Sequence, residues 1–185
     1  MVYNINVFKR IYTVKYFWLI MLIATLVAID LAIKHIVSAT MTLDDPVKVI
    51  PGFFSLVYTH NTGASFGMLA GMRWLFLTVT SLLLIILAVV FWRSQYKDNK
   101  LFISGFVFLF AGAIGNFIDR IFFAYVRDYF SIHFFPAVFN LADVFINIGT
   151  LLIIIFIIKT AVQEYKNKKS TKPKNEEADD NNKGE

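Results

Sequence analysis

The chain has 185 residues, 57% hydrophobic and 17% aromatic, with a mean hydropathy of +0.62. A single soluble core of this length does not need that much apolar surface, so the bilayer is the expected solvent. Cysteine is absent, which excludes disulfides, thiolate metal sites and a cysteine nucleophile. The net charge of +5 lies in short Lys/Arg clusters, a pattern of membrane topology rather than of nucleic-acid binding.

A helix needs about 20 mostly apolar residues to cross the hydrocarbon core. The first such run spans about 16–39. Lys9, Arg10 and Lys15 precede it as in a secretory leader, but Asp30 and Lys34 interrupt it and no small-x-small cleavage site follows, so a retained helix is expected. Asp30 and Lys34 lie one turn apart near its outer end, as a mutual ion pair, a substrate contact, or both.

The connection of about 40–73 follows. Its stretch "IPGFFSLVYTHNTGASFG" has a β-branched and aromatic run ending in Asn-Thr-Gly, which predicts a strand and turn at the membrane surface. A second span covers about 74–92. After the basic loop with Arg93, Lys97 and Lys100 comes a third, about 101–123. Near its outward end "AGAIGNFIDRI" carries Asn116, Asp119 and Arg120 on one face, with Gly112 and Gly115 as close-packing positions. This set reads either as an interhelical polar network or as a site edge, where Arg120 positions a carbonyl or carboxylate.

The connection of about 124–140 holds Asp128 in "VRDYF", and the fourth span, about 141–162, opens with "FNLAD". Asn140 and Asp143, three residues apart, suit a capping pair, and the helix dipole favours an anion there. A fold-back at Pro136 can equally bring Asp128 and Asp143 together. Two close carboxylates cannot easily both ionise, so one is a base while the other donates a proton. Such a pair can activate water against a peptide carbonyl. No His-Glu-x-x-His, no Gly-x-Ser-x-Gly and no phosphate-binding loop is present. His35, His60 and His133 are scattered and are expected to be non-catalytic.

The basic clusters before the first span, between the second and third, and after the fourth (Lys166, Lys168, Lys169) place both termini in the cytoplasm and the other two connections outside. Residues 166–185 are polar and are expected to form a disordered charged cytoplasmic tail beyond a membrane domain of 1–165.

Five motifs in order, "DLAIK" (30–34), "NTGASFG" (61–67), "GNFIDR" (115–120), "VRDYF" (126–130) and "FNLAD" (139–143), resemble those of lipoprotein signal peptidase, the bacterial type II signal peptidase family. The resemblance implies an all-α membrane protein of four transmembrane helices with a small extracytoplasmic β-cradle over 40–73. It implies an aspartic endopeptidase of the bacterial inner membrane, with its active site toward the outer face. The enzyme would cut diacylglyceryl-modified prolipoproteins before the lipidated cysteine. Asp128 and Asp143 would be the catalytic dyad, with Asp30, Lys34, Asn61, Gly63, Asn116, Arg120 and Asn140 supporting it or holding substrate. Membrane lipid and a globomycin-type inhibitor are the further partners implied, with no metal, no other cofactor and no nucleic acid. Leu31 and Ile33 depart from the family's usual Gln and hydroxyl residue, and Arg127 replaces an apolar residue. A cation beside Asp128 would favour its ionised form.

Two rival functions stand beside this one. A proton-coupled transporter would use Asp30, Lys34, Asp119 and Asp143 as a relay, although no broken helix or inverted repeat is apparent. A non-enzymatic assembly factor would tolerate asparagine at both dyad positions.

Overall fold

The computed structural model describes residues 3–63, 69 and 71–171. In chain order the elements are α1 (Tyr3–Thr40), β1 (Val47–Ile50), β2 (Phe54–Asn61), α2 (Arg73–Arg93), α3 (Lys100–Phe123), β3 (Val126–Ile132), β4 (Val138–Phe139) and α4 (Leu141–Thr171). Each of the four helices contains a stretch long and apolar enough to cross a membrane, Lys15–Thr40, Arg73–Arg93, Lys100–Phe123 and Leu141–Lys169. These agree with the four runs predicted from the sequence.

The apolar residues divide between protein and lipid. α2 has no buried residue, and Leu82 and Ile85 are 54% and 60% exposed, a distribution that only hydrocarbon makes inexpensive. α3 is the central helix. Its Phe102 and Phe106 join Phe156 of α4 in an aromatic cluster that also takes in Phe91 and Tyr96. Asn99 caps its first turn, its side chain accepting from the Leu101 and Phe102 amides at 3.0 and 3.2 Å.

α3 and α4 approach backbone to backbone. A Cβ added at Gly149 would stand 2.7 Å from the Leu109 amide nitrogen and 2.8 Å from the Gly105 carbonyl oxygen. At Gly112 it would collide with the Ala142 carbonyl oxygen. Without hydrophobic attraction between helices in lipid, such close van der Waals contact holds the pair together.

The outward connections form one antiparallel sheet in the order β1-β2-β3-β4. The cradle expected over 40–73 is therefore only half of it, since β3 and β4 come from the 124–140 connection. Strand pairing with β2 supplies the backbone partners that β3 would otherwise lack. Ala124 ends α3 in the left-handed region, at φ 68°, and this turn reverses the chain into β3 over the end of α3.

The expected tail is also corrected. Residues 166–171 continue α4, with Lys168 and Lys169 in its last turn, where their charges favour a helix C-terminus. The rest of that tail, 172–185, lies outside the described residues.

Replacing Gly149 by alanine should lower stability by about 1–3 kcal/mol, since only backbone shifts can relieve the clash. Leu82→Ala on the lipid face should change it by less than about 0.5 kcal/mol. Thermal unfolding of both variants in detergent checks this, and equal melting temperatures would contradict the tight α3–α4 contact.

Candidate active site

At the sheet end of the bundle lies a cleft of about 1090 Å³, with Asn61, Gly63, Asn116, Arg120, Asp128 and Asp143 in its wall. Asp128 is carried by β3 and Asp143 by the first turn of α4. Asn140, the residue before α4, ties them together. Its Nδ2 donates to Asp128 Oδ1 at 2.6 Å, and its backbone N–H donates to Asp143 Oδ2 at 3.1 Å. Its Oδ1 in turn accepts from the Asp143 amide at 3.1 Å. The cap and the carboxylate pair, alternatives in the sequence, are here the same structure.

Each remaining oxygen of the pair has a donor. Asn61 Nδ2 donates to Asp128 Oδ2 at 2.8 Å, and Asn116 Nδ2 to Asp143 Oδ1 at 2.7 Å. Asn116 Oδ1 accepts from Lys34 Nζ at 2.9 Å and from Asn140 Nδ2 at 3.1 Å. Asparagines suit this work because one side chain both donates and accepts without adding charge. Asn61 Oδ1 also takes the Gly63 amide at 3.0 Å, closing a turn, and Arg120 Nη2 donates to the Gly63 carbonyl at 3.2 Å. Arg120 thus positions a loop, with its guanidinium 4.8 Å over Phe76. Residues 64–67 of "NTGASFG" lie outside the described residues.

Asp30, Lys34 and Asn140 are fully buried behind the cleft. Lys34 Nζ stands 2.8 Å from Asp30 Oδ2, which takes no well-aligned hydrogen bond and is met by the ammonium as an ion pair. Asp30 Oδ1 accepts from the Ala142 amide at 3.0 Å, holding the first turn of α4. A Cβ at Gly115 would lie 2.5 Å from Asp30 Oδ2, so glycine here admits the carboxylate against α3. The ion-pair reading of Asp30 and Lys34 is the geometry found; neither lines the cleft.

Asp119 was legible only as a member of the polar face of α3, and its partner was not legible at all. Its carboxylate holds the Arg127 guanidinium and lies 3.4 Å from Lys34. The sequence expectation for Arg127 is thereby corrected: its guanidinium pairs with Asp119 and not with Asp128, so the cation does not hold the Asp128 carboxyl in the ordinary carboxylate range. Instead the Asp128 carboxyl is pushed up to about 7, first by burial and then by the charge of Asp143, against the opposing hydrogen bonds from Asn61 and Asn140. Two further contributors gave no sequence signal. The Tyr129 hydroxyl accepts from the Leu141 amide at 3.2 Å, and Arg73 Nε donates to the Arg120 carbonyl at 2.9 Å. His60 lines the cleft, stacked on Tyr125 at 3.7 Å and sharing a 2.8 Å hydrogen bond with the Tyr58 hydroxyl. Among the described residues no three His, Cys, Asp or Glu side chains are grouped to hold a metal ion.

A four-helix membrane bundle with two carboxylates bridged by Asn140 in a cleft at one end defines an integral-membrane protein equipped for acid–base hydrolysis. The family model described as "Signal peptidase (SPase) II" matches residues 22–159. The lipoprotein signal peptidase of Streptococcus thermophilus (strain CNRZ 1066) is 36% identical over 139 residues, 74% of this chain and 90% of that protein. That of Staphylococcus haemolyticus (strain JCSC1435) is 39% identical over 146 residues, 77% of this chain and 91% of that protein. A solved bacterial membrane enzyme, determined by the in meso method at 2.3 Å resolution, matches with a TM-score of 0.73 and 34% identity, covering 84% of this chain and 94% of that one. A second, at 1.9 Å resolution, has a TM-score of 0.69 and 35% identity, covering 76% and 92%. The chain belongs to the signal peptidase II family and is a multi-pass membrane protease; the transporter and assembly-factor readings find no support there.

The raised pKa of Asp128 has a stability consequence of definite sign. Its folded pKa of about 7 exceeds the ordinary 3.8, so its contribution is fully present below about pH 4 and is lost as pH rises through about 7. Asp128→Asn cannot ionise. The stability of that variant relative to wild type should therefore grow from pH 4 to 7 and level off above, as thermal unfolding across pH in detergent would reveal. A difference independent of pH would contradict burial as the cause.

Proposed function

We propose that this protein removes signal peptides from diacylglyceryl-modified prolipoproteins, cutting before the lipidated cysteine, with Asp128 and Asp143 as its catalytic residues. The observation that carries the reading is the bridging of both carboxylates by Asn140 within one cleft. Asp128, with its raised pKa, carries the shared proton. Asp143 then takes a proton from water as the water oxygen attacks the scissile carbonyl carbon, and Asp128 protonates the carbonyl oxygen. In the resulting gem-diol, Asp143 passes its proton to the amide nitrogen and the C–N bond breaks. Asp128 recovers the diol proton, leaving a carboxylic acid and the free amino group of the cysteine.

Asn61 and Asn140 hold Asp128, Asn116 holds Asp143, and Arg120 with Gly63 shapes the edge along which the substrate backbone lies. Asp30 and Lys34 act behind the site by fixing the start of α4. Phe134, Phe135, Val138 and Ile146 give the cleft an apolar wall suited to acyl chains, whose burial contributes about 0.8 kcal/mol per methylene. Surrounding membrane lipid and a globomycin-type inhibitor are the other ligands of this surface.

Lys15 Nζ donates to the Lys97 carbonyl and the Asp98 carboxylate, so the start of the first span and the α2–α3 loop share one end of the bundle. Their cations favour the cytoplasm, which supports the reading with both termini inside and the sheet and cleft at the outer face.

Cleavage of a diacylglyceryl-modified prolipoprotein in lipid or detergent, with EDTA present and an unlipidated substrate as control, tests the reading. Wild type should cleave only the lipidated form, indifferent to EDTA. Asp128→Asn and Asp143→Asn should each lose at least about 10²-fold in rate while folded; a mutant as active as wild type would exclude that aspartate from the chemistry. Asp30→Asn should lower the melting temperature and retain measurable cleavage. Loss of cleavage as complete as in the dyad mutants, at full protein level, would overturn this division of roles.

A further inference from the structure

Neighbouring side chains of a strand point to opposite faces. With Asp128 turned into the cleft, Arg127 faces the end of α3, where it is 5% exposed. Its Nη2 meets Asp119 Oδ1 at 2.6 Å, its Nε lies 3.2 Å from the same oxygen, and its backbone N–H donates to Asp119 Oδ2 at 3.0 Å. Its guanidinium carbon lies 4.5 Å over the Phe123 ring. Arg127 is thus one peptide bond from Asp128. It is also joined to Asp143 through Asp119, Lys34 and Asn116, each in contact with the next.

We infer that Arg127 is a positioning residue for the hydrolysis. Its fork clamps Asp119 and so fixes β3, with Asp128, against α3. By neutralising Asp119 it leaves Lys34 committed to Asp30 and Asn116, which aims the Asn116 amide at Asp143. The inference rests on the reading of Asp128 and Asp143 as the reacting pair.

The alternative arrangement has a clear cost. Without the guanidinium, Lys34 is the only cation paired with Asp119 among the described residues, and its ammonium is drawn away from Asn116. The buried carboxylates Asp30 and Asp119 now balance the cations Lys34 and Arg127; removing one cation leaves a net negative charge beside the dyad and raises its proton affinity. The other titratable groups packed around this point do not replace it. Tyr58 and His60 of β2 are hydrogen-bonded to each other, Tyr125 stacks on His60, and Arg120 of α3 is turned to Gly63 and Phe76. A lysine would keep the charge but not the planar fork.

The test is the pH profile of kcat and KM for prolipoprotein cleavage by the full-length protein in lipid, with folding monitored by thermal unfolding. Arg127→Met should lower kcat about tenfold or more with KM within about twofold. Its profile should move to higher pH by roughly half a unit or more. Asp119→Asn added to Arg127→Met should return the profile to its wild-type position while kcat stays low. Arg127→Lys should leave the profile in place and lower kcat severalfold.

Wild-type kcat in folded Arg127→Met, a lowered kcat with an unmoved profile, or a double variant displaced as far as the single would each overturn the inference. Should Arg127→Met not fold, Arg127→Lys decides: wild-type kcat overturns, and a lowered kcat with an unmoved profile supports. Asp128→Asn runs alongside. Activity in that variant would remove the dyad reading itself, whereas an inactive Asp128→Asn with a wild-type Arg127→Met would remove only the role of Arg127.

Discussion

Asp30, Lys34, Asp119 and Arg127 occupy a volume from which water is excluded, and their mutual pairing governs where the surrounding chain lies. Each alone would be prohibitively expensive there, since an unpaired buried charge costs several kcal/mol. Paired, they act as struts. Asp30 takes the Ala142 amide at the start of α4, and Asp119 takes the Arg127 amide at the start of β3. The two backbone segments that carry Asp143 and Asp128 are therefore each anchored by a carboxylate that does not line the cleft. Lys34 lies between the anchors, within reach of both.

The asparagines convert this charged scaffold into a site. Asn116 receives a hydrogen bond from Lys34 and gives one to Asp143, and Asn140 gives to Asp128 while closing the cap of α4. Neutral amides hold the dyad from several sides without adding charge, and their hydrogen bonds to Asp128 only partly offset burial and the repulsion of Asp143, which dominate its protonation. The cost of holding a carboxyl so far from its ordinary range is a fold less stable at high pH, the usual exchange of stability for a poised group.

Much of this was legible in the chain, for identifiable reasons. The hydrocarbon thickness demands a minimum apolar length, and four runs meet it. Ionisable residues interrupting such runs are rare enough to mark a site, which singled out Asp30, Lys34, Asp119, Arg120 and Asp143. The sheet was half legible: β2 announces itself by its β-branched and aromatic run, but β3 carries the charged pair Arg127 and Asp128 near its start, β4 has only two residues, and both owe their state to pairing with β2 and with each other. The partnership of Asp119 and Arg127 was not legible, since it depends on the left-handed turn at Ala124. Nor could spacing separate a cap from a catalytic role for Asp143, because one carboxylate has two oxygens and uses them differently.

The glycine contacts between α3 and α4 have a mechanical meaning. Where backbone touches backbone, no flexible side chain lies between to absorb sliding, so the pair responds to load as a single rod. Membranes that are thinner or thicker act on embedded helices chiefly by tilting them. Tilt moves Asn116 and Asp143 together and leaves their 2.7 Å contact unsheared. The geometry of the pair is thereby insulated from bilayer thickness, and the lipid composition of the host membrane is free to vary around it.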